Sequence, residues 1–374
     1  MALPSRQPDY VMFAIILAIL VIGVIMVFSA GYSKAGPDGD PYHYIRRQVM
    51  WAALGLAAMV VLMRVDYHVW RLWAVPGLVI SIGLLGLVLL IGEDISGARR
   101  WIDLGPVGLQ PSELAKVASI NFLAAYVTDR RKVIHQFVPG FAVPMVIIVL
   151  VFVLILAEPD LGTALALAAT SVLMLVAAGL RWGYFFLIAA GGVAGIILLI
   201  IKEPYRMRRL AAFLNPWQDP LDTGYNIIQS LLAIGSGGLF GLGLGESRQK
   251  FLYLPEHHTD FIFAVLSEEL GFLGSATVVL LFLLLAWRGY RTALRAPDLF
   301  GTMLAVGLTT MIVLQAVVNM YVVTALLPAT GITLPLISYG GSSLSVTLAT
   351  LGVLLNISSH ARNQKMNQGA GVAS

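Results

Sequence analysis

From Tyr10 to Ala30 the chain runs without a single charged residue, and it returns to runs of this kind again and again. An α-helix crossing the hydrocarbon core of a bilayer needs roughly 17–25 such residues, so the apolar runs decide what the chain can become. Spans are expected near 10–30, 46–63, 70–92, 112–128, 138–157, 161–180, 183–201, 261–287, 299–325 and 335–358. Pro41, Pro106, Pro111, Pro159, Pro204 and Pro335 mark where helices begin or end. The expected fold is an all-α polytopic membrane protein, a single domain over residues 1–374 with about ten transmembrane helices. A large extracytoplasmic loop, 202–260, separates the seventh and eighth. Charged residues are 12% of the chain, about half the soluble average, and hydrophobic residues 58%. The run from Tyr10 is too long for a cleaved signal peptide and reads as the first span.

Orientation follows from the basic residues. With the N-terminus inside, the inner loops hold Arg6, Arg64, Arg71, Arg130, Arg131, Lys132, Arg181, Arg288, Arg291, Arg295, Arg362 and Lys365. The short outer loops hold Lys34, Arg46, Arg47, Arg99 and Arg100, mixed with Asp38, Asp40, Glu93, Asp94, Asp103, Glu158 and Asp160. That bias places both termini in the cytoplasm; the 202–260 loop is long enough to translocate whatever its charge. The net charge of +4 reflects the same bias and calls for no nucleic-acid partner. Without cysteine there is neither a disulfide nor a cysteine metal site. No repeat of 20–50 residues is evident, and Gly191 with Gly195 fits a close helix contact. Asn356-Ile357-Ser358 matches a glycosylation acceptor but falls at the cytoplasmic end.

Ionisable residues at membrane depth are costly unless paired or wet, which makes each a functional candidate. Ser96-Gly97-Ala98-Arg99-Arg100-Trp101 precedes Gln110-Pro111-Ser112-Glu113, with Lys116 one turn on. Glu113 suits a helix's first turn and can pair with Lys116 three residues later, either as a local ion pair or as part of a phosphate grip. Arg99, Arg100 and Trp101 fit interfacial anchors or a hold on an anionic head group. Asp160, after Glu158 and Pro159, is a good N-cap, and an acidic pair there could also orient a sugar or cation.

The long loop carries Arg206 to Arg209, then Asn215-Pro216-Trp217, a glycine-rich stretch 235–245, Ser247-Arg248-Gln249-Lys250 and Leu254-Pro255-Glu256-His257-His258-Thr259-Asp260. No strand precedes the glycines, so they read as tight turns or a close approach to a ligand rather than a nucleotide loop. Asp260 re-enters the membrane among Arg248, Lys250, Glu256, His257 and His258. It is either an N-cap or a poised general base, and Glu268 with Glu269 is expected to line the same cavity. Ser338 and Ser342, in Ile337-Ser338-Tyr339-Gly340-Gly341-Ser342-Ser343, imply irregular backbone around a cavity.

Taken in order, Gln110 to Lys116, Pro159 to Thr163, Asn215 to Trp217, Leu254 to Phe261 and Ile337 to Ser343 resemble the SEDS family (shape, elongation, division and sporulation) over nearly the whole chain. Ser247 to Phe251 and Thr330 to Pro335 look more like its FtsW or SpoVE branch, serving cell division or sporulation, than its RodA branch, serving cell shape. The resemblance implies an inverting peptidoglycan glycosyltransferase that polymerises lipid II at the outer face of the bacterial cytoplasmic membrane. It also implies a class B penicillin-binding transpeptidase as partner, alongside other division or sporulation proteins and membrane lipids.

Under that implication Asp260 is the catalytic base. The substrate-binding set is Arg99, Arg100, Trp101, Glu113, Lys116, Asp160, Arg248, Lys250, Glu256, His258, Ser338 and Ser342. No residue group makes a metal site; a divalent cation, Mg or Mn, is compatible with the diphosphate. Two other functions fit many spans with buried charges: a lipid II flippase, and a non-catalytic scaffold for the transpeptidase. A flippase needs polar residues along a path from both faces, whereas the unusual charges gather in the outer half.

Overall fold

The computed structural model describes residues 7–32, 40–95, 98–103, 108–251 and 254–372. Arg6, Lys34, Asp38, Ser96, Gly97 and Pro106 lie outside the described residues. Thirteen α-helices account for most of the rest: α1 (Tyr10–Tyr32), α2 (His43–Arg64), α3 (His68–Leu72), α4 (Ala74–Ile91), α5 (Pro111–Asp129), α6 (Val143–Ala157), α7 (Leu161–Ala177), α8 (Trp182–Lys202), α9 (Pro204–Leu214), α10 (Tyr225–Gly237), α11 (Ile262–Arg295), α12 (Leu299–Val323) and α13 (Ser342–Val372). A π-helical turn, Phe137–Ala142, leads into α6. Three short antiparallel strands, β1 (Glu93–Ile95), β2 (Ala98–Asp103) and β3 (Gly108–Leu109), join α4 to α5.

Eight helices among the described residues are long and apolar enough to cross a bilayer: α1, α2, α4, α6 with its lead-in, α8, α11, α12 and α13. The expected spans at 112–128 and 161–180 are also helical. Of these, α5 carries Glu113 and Lys116 in its interior, and α7 is a shorter apolar helix. The expected span at 70–92 divides at Trp73 into α3 and α4. The last helix starts at Ser342 rather than 335, because Leu336 and Gly341 have positive φ (66° and 47°) and break the backbone before it.

Lipid tails are as apolar as leucine, so helix association here rests on close packing. Glycines allow that approach. A Cβ at Gly55 of α2 would lie 2.5 Å from Leu348 of α13, and one at Gly352 of α13 would lie 2.5 Å from the Met59 carbonyl. Helix α12 is buried along most of its length at the centre of the bundle. At the other extreme α8 has no buried residue, and Gly191 and Gly195 meet nothing within 4 Å. The close contact expected of that pair is therefore not made among the described residues: α8 stands at the edge.

Helix α11 is broken at Gly271 (φ 66°, ψ −165°), and the glycine-rich stretch fills the break. Leu242 and Gly243 donate their N–H groups to the Glu268 and Glu269 carbonyls (2.9 and 3.0 Å), while Phe272 and Leu273 donate to Gly238 and Leu239 (2.9 and 3.2 Å). A helix interrupted at membrane depth needs such substitute partners. A Cβ at Gly241 would sit 2.1 Å from the Glu269 carbonyl, so the close approach this glycine permits is to backbone.

Candidate functional site

The starts of α5, α7 and α11 and the irregular segment before α13 meet at one end of the bundle. Asp160 caps α7 as its position suggests: Oδ1 accepts from the Thr163 N–H (3.0 Å) and Oδ2 from the Thr163 hydroxyl (2.8 Å). Its carboxylate is buried and spoken for. Gly162 then lets the helix abut the next layer, where a Cβ would lie 2.6 Å from the Thr330 carbonyl. Gly331 follows, its φ positive at 75° and its missing Cβ 3.6 Å from Asp260 Oδ2.

Asp260 is placed differently. The N-cap residue of α11 is Phe261, with no side-chain cap, so the capping role open from sequence is not the one Asp260 fills. Its backbone is fixed instead: the Asn319 amide donates to the Asp260 carbonyl (2.8 Å) and to the Ile332 carbonyl (2.7 Å). Burial first, then the Glu256 and Asp160 carboxylates, push the Asp260 carboxyl up to about 6 against the pull of Arg209 and Arg100. A carboxylate so placed is more basic than a solvated one yet largely ionised at neutral pH.

Around it the chain is latched. Ser338 donates its hydroxyl to the Thr259 carbonyl (2.7 Å) and accepts from the Leu334 N–H (2.8 Å), and the Tyr339 N–H reaches the His258 carbonyl (3.0 Å). The His258 ring lies against Tyr44 and Tyr339, with centroids 4.6 and 5.9 Å away. Ser342 accepts from the Gln110 N–H (3.2 Å), tying the start of α13 to the start of α5. Trp101 of β2 packs over Gly108 and close to Gly341. Glu256 is exposed, with its carboxylate accepting from the Thr259 hydroxyl (3.0 Å).

The cations expected to serve a phosphate fall into two groups. Lys116 is buried and bonded to Glu113 (2.9 Å). Lys250 is buried too, its ammonium held by Glu269 (2.8 Å), the Ser29 hydroxyl (3.0 Å) and the Gly245 carbonyl (2.7 Å). Glu268 takes the Ser247 hydroxyl and the N–H groups of Arg248 (3.0 Å) and Gln249 (3.3 Å). The two acids expected in the Asp260 cavity thus fasten the 245–250 loop to α11. The second group keeps its charge available. Arg99 and Arg248 are exposed, and Arg100 spans the α6–α7 turn with Nε on the Glu158 carbonyl (3.0 Å).

Two further residues belong here: Arg209, which sequence reasoning did not single out, and Glu158, which it offered only as one of an acidic pair with Asp160. Arg209 of α9 lies over the Tyr205 ring (4.5 Å), donates to the Ala329 carbonyl (2.9 Å) and acts electrostatically on Asp260. Glu158 is fully buried, and neither carboxylate oxygen has a hydrogen-bond partner among the described residues. Burial and then Asp160 push it up to about 8, with Arg100 opposing. Among the described residues no three or more acids and histidines gather around a metal-sized point. A separate apolar cavity of about 300 Å³ runs between α4, α5, α12 and α13, lined by Trp70, Ile80, Leu84, Leu114, Leu308 and Val353.

The sequence profile of the FtsW/RodA/SpoVE cell cycle proteins matches residues 9–363. Stage V sporulation protein E of Bacillus subtilis is 47% identical over 97% of this chain and 100% of its own length. The protein described as probable peptidoglycan glycosyltransferase FtsW in a Geobacter species is 46% identical over 96% of this chain and 99% of its own. Among solved structures, a chain from work on structural coordination of polymerization and crosslinking by a peptidoglycan synthase complex aligns with a TM-score of 0.79 at 31% identity, covering 95% of this chain and 98% of that one. The rod shape determining protein RodA of Thermus thermophilus aligns at 0.70 and 32%, covering 94% and 96%.

Proposed function

This chain belongs to the FtsW/RodA/SpoVE family, a multi-pass membrane protein of that fold, and on that footing we propose that it polymerises lipid II with Asp260 as general base. It is a peptidoglycan glycosyltransferase. The observation that carries the mechanism is the setting of Asp260. Its carboxyl caps no helix, its backbone is clamped by Asn319, and two acids and two arginines surround it at electrostatic range.

In the proposed step Asp260 takes the proton from the 4-hydroxyl of the acceptor sugar. The oxygen attacks the anomeric carbon of the donor from the face opposite the leaving group, so configuration inverts. The bond from that carbon to phosphate oxygen breaks, and the lipid diphosphate departs with the electron pair. Arg100 and Arg209, whose charges act on Asp260, stabilise the charge that develops there, and the exposed Arg99 and Arg248 are the further cations proposed to join them. Lys116 and Lys250, each matched to a carboxylate, act as posts that hold α5 and the 245–250 loop. The aromatic face of Trp101 and the group of Tyr44, His258 and Tyr339 suit sugar rings, and the apolar cavity beside α4 suits the polyprenyl tail. Among the described residues no three or more acids and histidines gather as a metal site.

The site faces the outside of the cytoplasmic membrane in this reading, with both termini in the cytoplasm, as the Lys and Arg distribution favours. A class B penicillin-binding transpeptidase is the proposed partner, since the chain resembles one component of a peptidoglycan synthase complex. The role is in division or sporulation, following the relatives.

The test is purified protein with its transpeptidase, given labelled lipid II in detergent. Glycan ladders are expected from the native chain and none from an Asp260→Asn variant that melts no lower than it. Ladders from a folded Asp260→Asn would remove the assigned base. Movement of lipid across vesicles without polymer would favour a flippase, and turnover indifferent to both Asp260→Asn and Lys116→Met a scaffold.

A further inference from the structure

At the end of the bundle away from Asp260, a cavity of about 510 Å³ opens between the α3–α4 junction and the last turn of α5. Helix α5 runs from the site end at Pro111 to Asp129, a rise of roughly 28 Å at 1.5 Å per residue, so the two places are a membrane core apart. The lining divides by chemistry. Arg71, Asp129 and Arg130 form a charged rim, while Leu72, Val75 and Tyr126 are part of an apolar and aromatic wall below it. The Arg71 guanidinium is paired with Asp129, and Arg130 lies 5.8 Å from the centre of the Tyr126 ring. Arg131 and Lys132 follow directly and are exposed.

The wall does not end at the cavity. Leu72 is 77% exposed, Trp73 54% and Val75 58%, so the lining continues onto a surface that in a membrane faces lipid. Trp73 stands where a tryptophan belongs at a membrane–water interface. Helix dipoles do not set the sign of the site, because α4 brings its N-terminal end and α5 its C-terminal end. The side chains do, with Arg71, Arg130, Arg131 and Lys132 against the single carboxylate of Asp129.

We infer that this cavity binds the head group of an anionic phospholipid, its phosphate diester between Arg71 and Arg130 and its acyl chains along Leu72 and Val75. A guanidinium carries five donors, so Arg71 can serve the phosphate while keeping part of its contact with Asp129. Asp129 then acts as a competitor: it holds Arg71 in place when no lipid is bound and weakens the lipid's grip when one is. A soluble phosphate shares the charge but has no use for the apolar wall, which is why the occupant is a lipid. Each arginine near a charged bilayer surface contributes about fivefold in affinity.

The full-length protein in detergent is exchanged into equal amounts of phosphatidylglycerol and phosphatidylcholine, and retained lipid is counted by native mass spectrometry. Phosphatidylglycerol is expected to be held severalfold better. Arg71→Gln with Arg130→Gln should erase that preference, and Arg131→Gln with Lys132→Gln should leave most of it. Asp129→Asn is the decisive variant, because it removes no cation: retention of phosphatidylglycerol should rise, whereas an ion pair of purely structural use predicts no gain. The inference is overturned by equal retention of the two lipids, by Asp129→Asn without effect, or by the Arg131 and Lys132 changes costing as much as those at Arg71 and Arg130. It is overturned too if glycerol phosphate at millimolar concentration displaces the bound lipid, since the site would then serve a soluble anion.

Discussion

Two groups of acids stand at opposite ends of this bundle and are driven in opposite directions. At the site end, Asp260 and Glu158 are pushed up, to about 6 and about 8, by burial and neighbouring carboxylates. At the far end, Asp66 and Asp298 are held down. Burial alone would raise Asp66, but hydrogen bonds from the His68 backbone and ring, with the charges of His360 and His68, bring it to about 2. Asp298 caps α12 through the Gly301 N–H (2.8 Å), accepts from the fully buried Tyr67 hydroxyl and meets His68 Nε2 (3.0 Å). Burial opposes these contacts too, and they still lower it. The far-end acids have partners for their charge, and that cluster locks the α2–α3 loop to α12 and α13. The acids at the site end crowd one another, which leaves a carboxylate able to take up a proton.

The largest effect that could break the contrast is a crossover of activity and stability. Asp260→Asn should lower polymerisation roughly 10²–10⁴-fold, the usual worth of a positioned general base, with folding intact. Asp298→Ala should do the reverse. It orphans the buried Tyr67 hydroxyl and should cost about 1–3 kcal/mol of stability while turnover per folded molecule persists. Thermal melts beside ladder assays on both variants decide it, and loss of turnover in a folded Asp298→Ala would show that the far end is not merely structural.

Lys250 tests whether the cations obey the same division. If its ammonium is a post, Lys250→Met strands the buried Glu269 carboxylate and should destabilise by about 3–5 kcal/mol, while Lys250→Met with Glu269→Leu should recover most of the loss. The double variant is the informative one. Folded and active, it confirms a post; folded and inactive, it returns Lys250 to the phosphate.

What the sequence made legible was local. Apolar runs located the helices, three-residue spacing gave Glu113–Lys116, and Asp160 before an apolar run gave the α7 cap. The family resemblance was carried by short runs such as Leu254 to Phe261, which lie at the candidate site. Contacts made across the chain were not legible. Nothing near Arg209 announces that α9 lies across from Asp260, and nothing near Lys250 announces a partner 19 residues on in α11. The 235–245 glycines signalled tight turns or a close approach to a ligand, and Gly237 and Gly241 in fact close on the α11 backbone before its break at Gly271. The start of the last helix was misplaced because Leu334 to Ile337 is apolar enough to extend the run, whereas positive φ at Leu336 and Gly341 is a property of tertiary fit.

The smallest effect is a difference in slope with pH, and its sign separates the clusters. The ordinary carboxyl of aspartate titrates near 3.8, and Asp260 lies above that, at about 6. The folded state therefore holds its proton more tightly than the unfolded chain, and ionisation works against folding. That penalty is absent below pH 4, grows as pH rises through 6 and is complete above it. Asp260→Asn should accordingly melt at the same temperature as the native chain near pH 4 and higher than it at pH 7.5. Asp66 lies below the ordinary value, so its contribution is complete above pH 4 and fades only as pH falls toward 2. Asp66→Asn should melt lower than the native chain throughout pH 5 to 8, and the difference should shrink as pH falls from 4 toward 2. A level difference for Asp260→Asn over the same range would mean that its carboxyl is as well partnered as that of Asp66, and the ground for choosing it as the base would be gone.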